Sequence, residues 1–347
     1  MNMRLAYRVI SMQPMVLPPV AEAYPDVEGE LTVQEYARKR GSVVRHATCV
    51  VLDNVAKFYA ENAKTDWDIM ELPNWAPPWT LSFMEWDHPR RWYMKNGWHE
   101  SEEVGQYGMT VASLRHPHGV QDSKAWRTII TGYAGSGSVE MTGDYTSRIE
   151  PLLAKASWTL FCDHWLTCLG APIYGAPVWM GIYTIILADE SGKCLGTFDT
   201  GPGHASWSEK AAAEAATGHG DDPTGLASSA HILGLGYSFC HCKNVVTSHI
   251  QFNRSETWHR KQKIPKLKFQ TLEINPMQEV LKTEGGIEAN GVQRAMHICR
   301  GHFAHYTEQK PLFGKHHGDF WIPQHVRGKK ELGEVVKDYA INPGDRN

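Results

Sequence analysis

Between Val292 and Lys330 the chain concentrates six histidines (His297, His302, His305, His316, His317 and His325) and seven Lys or Arg against two acids. Imidazoles titrate near neutrality and so can take or give a proton, while guanidinium groups match the two-oxygen edge of a phosphate. Two boxes in the stretch mirror each other, Arg300-Gly301-His302 and His325-Val326-Arg327-Gly328. Together they hold the parts of a metal-independent phosphodiesterase: one base, one acid and fixed positive charge for the transition state. In that reading His302 and His325 are acid and base, and Arg300 and Arg327 hold phosphate. The same residues would equally build an anion-binding site without cleavage, or a structural hairpin tied to carboxylates and carbonyls elsewhere.

The catalytic reading carries a geometric requirement. If residues 296–303 and 321–327 are strands, alternation puts Arg300 with His302 on one face, and His325 with Arg327 likewise. Antiparallel pairing would then set histidine opposite histidine and arginine opposite arginine, which is unfavourable unless a bound anion neutralises the like charges. His297 falls on the other face, and His305, His316 and His317 fall in the connecting loop.

Three further stretches bear on chemistry. In Phe239-Cys-His-Cys-Lys-Asn244, read as a strand, Cys240 and Cys242 share one face while His241 and Lys243 point to a polar neighbour, such as the same phosphate site. Cys-x-Cys beside histidines suggests zinc, but no second cysteine pair lies nearby to complete four ligands, so no metal and no cofactor is expected. His116-Pro-His118 reads as a polar turn after a strand. Arg254 to Lys268 carries Arg260, Lys261, Lys263, Lys266 and Lys268, enough charge for a nucleic-acid backbone and also what a solvated loop would carry.

The elements that must position these groups are read from periodicity. The first thirty residues, rich in proline, suggest an extended arm. Thr32-Val-Gln-Glu35 is a capping box, and apolar residues at three- and four-residue spacing from Tyr36 to Tyr59 predict an amphipathic helix, interrupted at Gly41. Residues 66–99 interleave six tryptophans with prolines around a strand at Thr80 to Trp86. Such residues fill a core or an interface, or stack nucleobases beside Arg90 and Arg91. Strands are expected at 108–114, 126–133, 237–246 and 265–274, and as a pair at 178–187 and 194–198 joined by the turn Asp189 to Lys193. Helices are expected at 154–169, 226–235 and, from the capping box Ser206 to Glu209, to about Thr217. Gly135 to Ser138 and Gly201 to His204 match no phosphate-loop pattern and read as turns.

Bulk properties frame the whole. From Gln251 onward 16 Lys and Arg face 11 Asp and Glu, a net charge of +5 that leaves −8 on residues 1–250 of a chain totalling −3. A basic C-terminal third on an acidic body suits an anionic ligand at one end. Seven scattered cysteines do not form a disulfide framework, and no apolar run reaches the ~20 residues that span a bilayer, so a cytoplasmic protein without membrane contact is expected. If there are two domains, 1–150 and 151–347, no linker marks the boundary near 150, and a single domain is the alternative.

Phe239-Cys-His-Cys-Lys-Asn-Val245, Thr271-Leu-Glu-Ile-Asn-Pro-Met277, and the series Arg300-Gly-His-Phe303, Leu312-Phe-Gly314, Phe320-Trp321 and His325-Val-Arg-Gly328 resemble the boxes of a family of uncharacterised proteins encoded by tailed phages and prophages. The match covers roughly residues 235–328, with an echo at 81–86. The resemblance implies a phage-like origin and carries no mechanism. The resulting expectation is an α+β fold: a largely antiparallel sheet, an N-terminal amphipathic helix and a C-terminal His/Arg-rich hairpin. Function is expected to be the binding of a phosphate-bearing ligand, nucleic acid or nucleotide, with cleavage as its stronger form. The competing expectation is a non-enzymatic virion component or host-factor binder using the Pro/Trp-rich region.

Overall fold

A computed structural model describes residues 3–16, 32–62, 72–87, 91–94, 97–100, 105–134, 143–167, 176–200, 226–252, 255–274, 295–299, 302–322, 325–327 and 329–335. The chain divides into two compact units, residues 1–240 with 247–272, and residues 241–246 with 273–347.

The first unit is built on a nine-stranded mixed sheet, not a largely antiparallel one. Its strands are β1 (Met15–Val16), β2 (Thr48–Val51), β3 (Leu81–Asp87), β6 (Gln106–Arg115), β7 (Trp158–Thr167), β8 (Pro177–Ala188), β9 (Cys194–Thr200), β10 (Val245–Ile250) and β11 (Phe269–Ile274), with the separate hairpin β4 (Arg91–Met94) and β5 (Gly97–Glu100) between β3 and β6. The order is β1-β8-β7-β6-β3-β2-β11-β10, and β9 also pairs with β8. Strands β3, β6, β7, β8 and β9 run antiparallel in succession, whereas β2 is parallel to both β3 and β11, and β1 is parallel to β8. The sheet crosses residue 150 through the β6–β7 pair.

Burial on both faces explains most departures from the periodicity reading. All twelve residues of β8 are buried, and β7 is buried at eight of its ten positions. A strand covered on both sides needs no alternation, so Trp158, Phe161, Cys162 and Trp165 mimic helical spacing while lying on β7. The long helix expected from Tyr36 to Tyr59 is instead α2 (Val33–Ser42), a 3-10 turn (Val43–His46), β2, and α3 (Asp53–Asn62). The β-branched residues of Thr48-Cys-Val-Val51 suit a strand held between two others. The capping box is present as read: Thr32 accepts from the Glu35 amide, and the Glu35 carboxylate accepts from the Thr32 amide.

The expected strand at Trp126 to Tyr133 lies in helix α4 (Ser123–Ala134). Asp122 starts it by accepting from the Lys124 and Ala125 amides, and Trp126 and Ile130 turn into the core. Helix α5 (Gly143–Leu153) follows. The turn at Asp189 to Lys193 does join β8 to β9, with the Asp189 carboxylate accepting from the Lys193 amide.

The N-terminus is not wholly an extended arm. Helix α1 (Leu5–Ser11) buries Leu5, Ala6, Tyr7, Val9 and Ile10 in the core of this unit. Residues 17–31 lie outside the described residues, as do the expected helix from Ser206 and the glycine-rich turns at 135–138 and 201–204. Within the Pro/Trp-rich region Trp75 and Trp86 are core residues, 0% and 1% exposed, so neither is available to a partner or a nucleobase.

Helix α6 (Leu226–His241) corrects the expected strand at 237–246: Tyr237, Phe239 and Cys240 are helical, and β10 begins only at Val245. Helix α7 (Glu256–Gln262), capped by Ser255, occupies the basic segment, where Lys266 pairs with Glu256. At Gly234 in α6 an added Cβ would stand 2.2 Å from the Trp75 ring. Only a glycine permits that approach, so Gly234→Ala should lower stability by about 1–3 kcal/mol. An unchanged urea midpoint would show that helix and ring do not pack this closely.

The second unit contains β12 (Ala295–Cys299), β13 (His302–Tyr306), β14 (Gly318–Ile322), β15 (His325–Arg327) and β16 (Lys329–Val335). Strand β12 pairs antiparallel with β15 and parallel with β16, and β13 with β14 forms the C-terminal hairpin.

Candidate functional site

The hairpin is built on alternation. His302, Ala304 and Tyr306 of β13 face the same side as their partners Ile322, Phe320 and Gly318, and Phe303 and His305 face the other side with Trp321 and Asp319. Leu312 and Phe313 from the connecting loop pack with Phe320, Ile322, Ala304 and Tyr306 in a small apolar cluster on the first side. The loop folds back through a tight turn in which Leu312 and His316 exchange backbone hydrogen bonds. Phe313 takes a φ of +52° there, an uncommon conformation for a residue with a side chain, and its ring joins the cluster. On the second side Phe303 and Trp321 meet edge to face at 4.8 Å.

The arms that carry the mirrored boxes pair antiparallel, but the boxes are not each other's partners, as the catalytic geometry requires them to be. His325 stands opposite Cys299, Arg327 opposite His297, and His302 opposite Ile322. The pairs Cys299 with His325 and His302 with Ile322 are three residues apart on each arm, so the two ladders follow one register. That register makes neither the two histidines nor the two arginines cross-strand partners. Arg300 lies outside the described residues, and for His325 and Arg327 only the backbone is described.

What the register does bring together is His305 and Asp319. They are cross-strand partners, with His305 Nδ1 2.7 Å from an Asp319 carboxylate oxygen. The His305 side chain is 65% exposed and that of Asp319 26%. His305 thus stands on a strand and not in the connecting loop. The alternation of His302-Phe-Ala-His-Tyr306 against Gly318-Asp-Phe-Trp-Ile322 was the signal that the strand extends to Tyr306.

The Phe239 to Asn244 box serves this hairpin in a way its reading as a strand did not foresee. His241 ends α6, so it and Lys243 are not alternate residues of one strand. The Lys243 amide donates to the Asp319 carbonyl at 3.0 Å. Asn244, 77 residues distant in sequence from Trp321, donates its side-chain amide to the Trp321 carbonyl at 2.7 Å and accepts from the Trp321 amide at 3.0 Å. One side chain thus supplies both bonds that a neighbouring strand would have made. The Lys243 side chain is exposed and crosses Gly318, where an added Cβ would stand 2.9 Å from Cε.

The first unit holds a different set of buried polar groups. His164 on β7 is fully buried, with Nδ1 bonded to the Tyr107 hydroxyl and Nε2 to the Thr184 hydroxyl, both at 2.8 Å. Burial pushes its imidazole down to about 3. Asp163 beside it accepts from Trp179 and Arg40. At the ends of β2 and β3, Arg4 gathers Asp53, Glu85 and Asp87, and burial pushes the Glu85 carboxyl up to about 7 against the lowering by Arg4 and the Ala6 amide. His164 thereby links β6, β7 and β8, and Arg4 links the start of the chain's first helix to β3 and α3. Among the described residues no group of three or more His, Cys, Asp or Glu is placed to hold a metal ion, and no helix is long and apolar enough to cross a membrane. Cys49, Cys162, Cys194, Cys240 and Cys242 are free thiols.

Compared with protein-family models, curated proteins and solved structures, the chain matches none.

Two outcomes follow from this geometry. Asn244→Ala would remove both hydrogen bonds that Asn244 makes to the Trp321 backbone, at a cost of about 1–3 kcal/mol, read as faster hydrogen exchange at the Trp321 amide. His164, held neutral in the fold but titrating near 6.5 when unfolded, stabilises fully above that value and loses its contribution as pH falls toward 3. Wild type should therefore lose stability relative to His164→Gln below pH 6.5, by up to about 1.4 kcal/mol per pH unit. Parallel pH profiles would contradict it.

Proposed function

We propose that this chain is a phage-type protein that binds a phosphate-bearing ligand, nucleic acid or nucleotide, on the C-terminal hairpin of its second unit. One observation carries the reading. Besides the His305–Asp319 pair, the exposed ionisable side chains on residues 302–322 are the bases His302, Lys310, Lys315 and His317 and the single acid Glu308. The other acid, Asp319, is paired with His305. Lys243 adds a further exposed cation, and among the described residues no carboxylate pairs with it. Such a surface attracts phosphates and displaces their counterions, whatever the base sequence.

The phage-like origin rests on the boxes at residues 239–245 and 300–328. Contact between Asn244 and Trp321 supports treating them as parts of one substructure. The free thiols accord with a reducing cytoplasm.

Binding of labelled single-stranded RNA, single-stranded DNA and a nucleoside triphosphate, measured across a salt series, tests the reading. Affinity should fall steeply with salt, and the double variant Lys310→Ala/Lys315→Ala should reduce the logarithmic slope for a single strand by about 1.4. Absence of binding at low salt, or a slope unchanged in the variant, would remove the hairpin as the binding surface.

A further inference from the structure

Resting on the phosphate-binding reading, we propose that His305, oriented by Asp319, is the general base of an RNA-cleaving site on the Phe303/His305 face of the hairpin. The dyad has the form that such a role needs. A carboxylate can only accept, so its 2.7 Å contact with Nδ1 places the imidazole proton on Nδ1. The lone pair then lies on Nε2, which makes no hydrogen bond among the described residues and belongs to a ring that is 65% exposed. Strand pairing fixes both backbones, so the ring is aimed by the sheet and not by a mobile loop.

One neighbour on the same face supplies a contact that a base alone lacks. Phe303, on the next rung of the same face and half-buried against Trp321, offers a ring on which a nucleobase can stack. The Lys243 amide holds the Asp319 carbonyl at 3.0 Å, which fixes the backbone of the residue that orients His305.

The nucleophile singles out RNA. A base of this kind needs a hydroxyl proton to remove, and RNA carries one, the 2′-OH, beside each phosphate. Nε2 takes that proton, the 2′-oxygen bonds to phosphorus, and the bond from phosphorus to the 5′-oxygen breaks. The departing 5′-oxygen takes a proton from water, leaving a 2′,3′-cyclic phosphate and a 5′-hydroxyl end. No oxidant, reductant or second substrate is required, and DNA lacks the nucleophile.

The full chain incubated with a labelled single-stranded RNA, and with DNA of the same sequence, provides the test. The expected result is RNA cleaved to 2′,3′-cyclic phosphate ends, DNA left intact, and a loss of at least about 100-fold in His305→Ala with RNA binding retained. Added imidazole should restore part of the lost rate. Asp319→Asn should lower kcat without raising KM, and Asp319→Glu should recover part of it, as a positioning residue predicts. RNA bound but never cleaved, or cleaved equally by His305→Ala, overturns the base assignment and leaves phosphate binding standing. Binding of neither nucleic acid overturns both. Circular dichroism of His305→Ala matching wild type excludes a folding defect as the cause of the loss.

Discussion

The carboxylate of Asp163 sits 1% exposed in the middle of the nine-stranded sheet, and a charge so buried must be neutralised from within. Burial pushes its carboxyl above the usual range, opposed by the Arg40 guanidinium at 3.0 Å and the Trp179 indole N–H at 2.7 Å. These bonds tie three elements to one point: α2 through Arg40, β7 through Asp163 and β8 through Trp179. Arg40 also lies over the rings of Phe161 and Tyr183, so its charge is held by packing as well as by pairing. The register of β7 with β8 slips at this place, where His164 stands against the three residues between Trp179 and Tyr183. Gly181, at a φ of +62°, lets β8 bulge there. Removing one partner would leave the other charge buried alone, which is why such pairs resist piecemeal change.

The second unit answers the same demand with a neutral group. Strand β14 has β13 on one edge, and its other edge must still satisfy the backbone at Trp321. Asn244 does so with both atoms of one amide, and the Lys243 amide satisfies the Asp319 carbonyl. The same two residues of β14 that are held at this edge carry the aromatic rung and the carboxylate of the dyad. Rigidity of the candidate site therefore comes from backbone satisfaction, and its chemistry from what the opposite strand presents at His305.

Local signals in the sequence specify the structure where local physics decides the outcome. The Thr32–Glu35 capping box, the strand at Leu81 to Asp87, the turn between β8 and β9, and β11 follow from caps, turn residues and alternation. Local pattern failed where tertiary burial cancels it. Strand β7 looked helical because both its faces are covered, β2 was absorbed into a helix because its partners lie far away in the chain, and α6 continued through a box whose cysteines suggested a strand.

By itself the sequence determined the chemistry available at the C-terminal end: a dense set of imidazoles and cations with few acids, on segments able to pair. Only the tertiary structure decided which of those groups meet. A shift in where the hairpin turns changes every cross-strand partner, and the apolar cluster of Leu312, Phe313, Phe320 and Ile322 sets the turn so that His305 faces Asp319 and His302 faces Ile322. Composition can name a histidine as a base, but the register supplies the carboxylate that orients it.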